Sequence, residues 1–223
     1  MYNIPASQED PKQDRLRLRR SFTIAASLSA LLSLIKILEE FSGIRLVEYG
    51  IYPAHFQGIK GVFFAPLNHS SFSHLMANTA PLLILGTAVL YGYPRSVRIV
   101  IPVVWFGVGL GVWLFGRPAW HIGASGLTFG FMFFVFTIGA LRWDRKAIAL
   151  SMVVFLLYGG EIMGIFPDKP NMSYESHLFG ALTGLVLAIL LRNTDPRPPE
   201  KKYSWDDEDD ESSKVDNELQ KTD

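Results

Sequence analysis

Residues 120–130 read WHIGASGLTFG, which sets Ser125 among glycines where a polar loop gives way to an apolar run. Gly123, Ser125 and Gly126 are small enough to act as spacers between close-packed helices. They are equally placed to hold a hydroxyl at the first turn of a helix. There the backbone N–H groups lack intrahelical acceptors and the helix dipole favours negative charge. What the rest of the chain brings to the same depth decides between these readings.

Composition sets the class. Of the 223 residues, 49% are apolar, 13% aromatic and 19% charged, and the apolar ones are bunched into runs. That pattern predicts an all-α, polytopic membrane protein. There is no cysteine, which excludes disulfides and thiol chemistry and leaves the redox compartment undetermined. The stretch SFTIAASLSALLSLIKIL (21–38) has no cleavage site after it and reads as a retained first span. Five further runs, at about 72–91, 98–115, 125–141, 147–166 and 176–191, are each long enough to cross a bilayer. The expected organisation is a basic N-terminal segment at 1–20, a six-helix domain at 21–192 and a tail at 193–223. The tail carries 11 Asp+Glu against 5 Lys+Arg, too polar to bury a core, and is expected to be disordered.

Loop charge orients the six spans. With both termini on one side, the segments on that side hold 16 Lys+Arg, among them Arg15, Arg95, Arg142 and Arg192. The other side holds four: Arg45, Lys60, Arg117 and Lys169. Cytoplasmic flanks retain the excess, so the termini are predicted to be cytoplasmic. Lys36, near the outer end of span one, is expected to snorkel. The long connection at 39–71, with Phe63, Phe64 and Leu67, reads as a loop leaning into the outer leaflet.

In this topology spans two, four and six all begin at the outer face. Their first turns contain HSSFSHLMAN, GASG and YESHLFGALTG, so His74, Asn78, Ser125 and His177 fall near one depth. Asn78 follows His74 by four residues and shares its helix face. Gly180 and Gly184 follow His177 by three and seven, which puts a small-residue groove beneath the histidine. Close approach of spans four and six would bring Ser125 and His177 together. A serine hydroxyl beside a neutral imidazole is an activated nucleophile. Backbone N–H groups with His and Asn side chains are donors for an oxyanion.

These residues resemble the motifs of the rhomboid intramembrane serine proteases. Gly123-Ala124-Ser125-Gly126 is similar to their GxSG motif, His177 with Gly180 and Gly184 to HxxGxxxG, and His69, His74 and Asn78 to the span-two H(x)4H(x)3N pattern. The resemblance covers about residues 20–192. It implies a six-helix core with a Ser-His dyad: Ser125 as nucleophile, His177 as general base, and His74, Asn78 and the Ser125 N–H as oxyanion hole. Gly123, Gly126, Phe129, Gly180, Gly184 and His69 take supporting places. Two departures stand out. GIKGVFFAP (58–66) occupies the loop where many relatives carry a Trp-Arg pair, and Phe129 stands where known members have a tyrosine stacked on the catalytic histidine.

The expected partners are single-span membrane proteins cleaved near their outer end and the lipid bilayer of a bacterial plasma membrane, with no nucleic acid, cofactor or metal. The first outer loop and span five are the expected walls and substrate gate. His69 has two readings, a site role or a cap at the start of span two. His55 and His121 are read as interfacial residues without chemistry, and Trp105, Trp113, Trp120 and Trp143 as interface or core residues. A zinc enzyme would need an HExxH or a similar set, and a transporter would need ionisable groups at the midplane. The stronger alternative is a non-catalytic protein of the same fold that binds and escorts membrane proteins.

Overall fold

The first helix, α1 (Pro11–Ser42), starts ten residues before the apolar stretch does. Asp10 caps it by accepting from the Lys12 N–H at 2.9 Å, and Pro11 takes the first turn. No glycine or proline interrupts residues 12–42, so the helix runs through the basic segment to a left-handed Gly43. The structure, a computed structural model, describes residues 10–167 and 172–197. The expectations for residues 1–9, Lys169 and the tail beyond 197 lie outside the described residues.

The long connection after α1 is built from short turns: 3-10 turns at Leu46–Tyr49, Phe56–Gly58 and Ala65–Leu67, and one helical turn, α2 (Gly61–Phe64). It lies against α4 (Val97–Phe115), where the Trp105 indole N–H donates to the Phe63 carbonyl at 3.2 Å. Phe63 and Phe64 remain exposed beside it. The other long helices are α3 (Phe72–Gly92), α5 (Ser125–Arg142), α6 (Arg145–Tyr158) and α7 (Tyr174–Leu191). Ser71, Asp144 and Ser173 cap α3, α6 and α7 with side-chain oxygens. The 14-residue α6 is too short to span alone and is continued by a 3-10 turn, Gly159–Ile165. With that extension, six helices are long and apolar enough to cross a bilayer, and no strand occurs among the described residues. The protein is an integral, multi-pass membrane protein.

The centre of the bundle is α5, which packs against α3, α4, α6 and α7. Its most apolar window is 67% buried, compared with 6% for that of α6. Phe134, Val135 and Ile138 of α5 meet Val100, Val104 and Val112 of α4 in one core. Against α7 the contact is backbone to backbone. A Cβ on Gly180 would run into the Gly126 carbonyl, and one on Gly184 into that of Gly130. The glycine groove read beneath His177 is therefore the α5–α7 seam.

At the end of the bundle away from Ser125, Asp195 ties the chain down after α7. Its carboxylate accepts from the Arg95 N–H at 2.7 Å, the Ser96 N–H at 3.2 Å and the Ser96 hydroxyl at 2.5 Å. Arg142 donates to the Asp195 and Pro196 carbonyls and to Asp144. Lys36 departs from expectation: it is 6% exposed and bonds Glu39 and Glu40 at 3.1 and 3.3 Å instead of reaching out to solvent. Three and four residues on along its own helix, about one turn away, the two carboxylates offer a nearer partner than bulk water.

Candidate active site

Ser125 opens α5 two residues after Gly123, whose φ of 110° is accessible to glycine and strained for other residues. The Gly123 N–H donates to the Ala65 carbonyl at 2.9 Å and pins this loop to the connection after α1. A Cβ on Gly123 would lie 2.7 Å from His74 Nε2 and 3.9 Å from Asn78 Nδ2. Glycine is thus needed for conformation and for space, and its absence of a side chain lets His74 and Asn78 come up against the loop before Ser125.

The two histidines hold their protons on opposite nitrogens. His177 Nδ1 is 2.9 Å from the Gly164 carbonyl, a group that only accepts, so Nδ1 carries the hydrogen and Nε2 keeps its lone pair. In His74 it is Nδ1 that accepts, from the Ser70 backbone N–H at 3.4 Å, which leaves the hydrogen of the neutral ring on Nε2, the nitrogen facing Gly123. One ring is set up as an acceptor and the other as a donor. Asn78 spends one amide N–H on the His74 carbonyl at 2.8 Å and keeps the second. Phe129 stacks on His177 with centroids 4.0 Å apart and planes 5° from parallel. It holds the ring without a hydroxyl.

Ser125, His177, His74 and Asn78 line one cavity of about 890 Å³, floored by Leu85 and Met132 and flanked by Trp120. Ser125 and His177 make no hydrogen bond to each other, a common state of a resting nucleophile and base. Trp120, read from sequence as an interface or core residue, belongs to this wall. His69 does not. It is 2% exposed, lies edge-on to His74 at 5.1 Å, and lines a neighbouring cavity with Lys36 and Glu39. Among the described residues neither ring nitrogen has a partner within hydrogen-bond geometry. Burial, reinforced by His74, pushes its pKa down to about 4 although the Leu67 carbonyl opposes the shift, so the ring is neutral at neutral pH.

The reading of His121 as an interfacial residue needs correction. Its side chain is 2% exposed and sits in a polar cluster that joins the loop before Ser125 to the first turn of α7. Its Nδ1 lies 2.6 Å from Ser173 Oγ and its Nε2 3.0 Å from the Arg117 carbonyl. Its backbone pairs with Ile51 in both directions. Arg117 completes the cluster, with a 3.4 Å ion pair to Glu175 and a bond to the Met172 carbonyl at 2.7 Å. These residues lie in different loops with no shared spacing. Only the two facing charges, Arg117 and Glu175, could have hinted at the cluster from sequence. Among the described residues no group of three His, Asp or Glu side chains has the geometry to hold a metal ion.

Residues 57–194 match the family model described as the Rhomboid domain. An uncharacterized protein of Mycobacterium tuberculosis is 40% identical over 179 residues, covering 76% of this chain and 74% of its own. One from Mycobacterium leprae is 33% identical over 202 residues, covering 85% and 78%. The RHOMBOID-like protein 1 of Arabidopsis thaliana is 27% identical over 127 residues, 55% of this chain and 32% of its own. With the domain matched over more than half of its length, the chain belongs to the rhomboid family.

Proposed function

We propose that the protein is an intramembrane serine endopeptidase that cleaves single-span membrane substrates near their outer end. The observation that carries this reading is the opposed pair of histidines around the start of α5. His177 keeps a lone pair on Nε2 while His74 keeps a hydrogen on its own Nε2, and both face the cavity that holds Ser125.

In this mechanism Ser125 Oγ bonds to the peptide carbonyl carbon as its proton moves to His177 Nε2. The carbonyl oxygen becomes an oxyanion within reach of His74 Nε2–H, the second Asn78 N–H and the Ser125 N–H. The C–N bond then breaks and His177 returns the proton to the leaving amine. Water attacks the acyl-serine by the same route in reverse, releasing the acid and restoring Ser125. The Gly164 bond does the orienting work that an acidic third residue performs in a triad. The excess of Lys and Arg at the opposite end of the bundle supports cytoplasmic termini and a site opening outward, in a bacterial plasma membrane.

Ser125→Ala and His177→Ala should each reduce cleavage of a single-span substrate to background, because nucleophile and base act as one unit. Normal cleavage by either variant at matched expression discards the dyad. The alternative is an escort protein of the same fold that binds membrane proteins without cutting them. Labelling of Ser125 by a serine-directed fluorophosphonate separates the two.

A further inference from the structure

A second serine and histidine in the same cavity are already hydrogen-bonded. Ser173 Oγ and His121 Nδ1 are 2.6 Å apart, and both residues line the wall that Ser125 lines. The direction of that bond follows from the other ring nitrogen. His121 Nε2 is 3.0 Å from the Arg117 carbonyl, which can only accept, so Nε2 holds the hydrogen and Nδ1 takes the proton of the Ser173 hydroxyl. Nucleophile, base and orienting group thus stand in line.

The surroundings suit proton transfer. Ser176 Oγ lies 2.7 Å from Ser173 Oγ and, with the Ser173 proton directed at His121, serves as donor to it. Glu175 Oε2, 3.9 Å from His121 Nδ1, faces the charge that the ring would acquire. Arg117 pairs with that carboxylate at 3.4 Å and holds it in place. Burial lowers the His121 pKa, which keeps the ring neutral and able to accept. Ser173 also caps the 18-residue α7, where the helix dipole favours a developing negative charge.

We propose that Ser173, with His121 as its general base, is a second nucleophilic site of this cavity, open to small uncharged acyl and phosphonyl esters. Reaction with a fluorophosphonate forms the Ser173 O–P bond and breaks P–F. Fluoride leaves, and the serine proton passes to His121 Nδ1 and then to solvent. Nothing in this step uses Ser125 or His177, so it stands or falls apart from the protease reading.

The test is peptide-resolved mass spectrometry of the detergent-solubilised full chain treated with an alkyl fluorophosphonate. In a Ser125→Ala background, Ser173 should be modified about a hundredfold faster than Ser42, an exposed serine with no base beside it, since a placed general base is worth at least that much. The difference should vanish in dodecyl sulfate and in His121→Gln, which keeps a hydrogen-bonding side chain but no base. Modification of Ser173 no faster than that of Ser42, in protein whose melting matches the parent, overturns the proposal and leaves Ser173 as the cap of α7. Undiminished modification in His121→Gln removes the base assignment and overturns it equally.

Discussion

Single backbone carbonyls and amides decide what the histidines of this protein can do. The Gly164 carbonyl and the Ser70 N–H give His177 and His74 their opposite tautomers, and the Ser70 hydroxyl, 3.1 Å from His74 Nδ1, can donate to the same nitrogen. Asn78 has no other work for its second amide hydrogen than the cavity, so Asn78→Ala should lower kcat about a hundredfold while leaving KM nearly unchanged. A change confined to KM would move Asn78 to substrate binding. His69 makes a different kind of test. Its folded pKa of about 4 lies below the 6.5 of an unfolded histidine, so the unfolded chain binds more protons between those values. The stability held above pH 6.5 is then lost as the pH falls toward 4, by about 2 kcal/mol between pH 7 and pH 5. Thermal melts in detergent should show that drop in the parent and lack it in His69→Phe. An equal drop in both would assign the acid sensitivity to other groups.

Helices were far more legible in the sequence than the loops that join them. All six apolar runs became helices, and the three-and-four spacing of His74 with Asn78 and of His177 with Gly180 placed those residues on the right faces, because helical periodicity is a local property. Three things needed tertiary information. The upstream start of α1 follows from good helix formers with no breaker, while hydropathy alone marks only the apolar part. The early end of α6 is set where Gly159 and Gly160 open a 3-10 turn. The cluster of Arg117, His121, Ser173 and Glu175 joins residues more than 50 apart through loop hydrogen bonds that leave no period to read. The α5–α7 seam carries the prediction at this scale. Gly180→Leu would drive a branched side chain against the Gly126 carbonyl and push the helices apart. Misplacement of about 1 Å costs on the order of a hundredfold in rate, so cleavage should be lost in protein that still inserts with six spans. Leu182→Ala, at a side 49% exposed, is the control and should cut normally. Parent-like cleavage by Gly180→Leu would show that the seam does not hold the dyad in register.

Seen as a whole, the molecule surrounds one deeply packed helix with others of unequal attachment. Since α5 has 18 residues, or about 27 Å at ~1.5 Å each, it falls short of roughly 30 Å of hydrocarbon. Arg142 holds the end of α5 far from Ser125, so with the proposed cytoplasmic termini Ser125 is expected a few ångströms below the outer boundary. The chain has no cysteine, and Ser125→Cys therefore gives a single thiol. That thiol should react slowly with a small outer-side reagent and hardly at all with a bulky one, whereas rapid reaction with both would place the site in open water. The uneven packing has one more consequence. The His177 ring, the proposed base, is oriented by Gly164, which belongs to the 3-10 turn continuing α6, the helix with the least buried span. A substrate that arrived from the lipid by displacing α6 would carry Gly164 off with it and let the His177 ring turn. On the proposed mechanism, opening the wall and arming the base would then be mutually exclusive states of one lever, a mechanical interlock that withholds chemistry until the wall has closed.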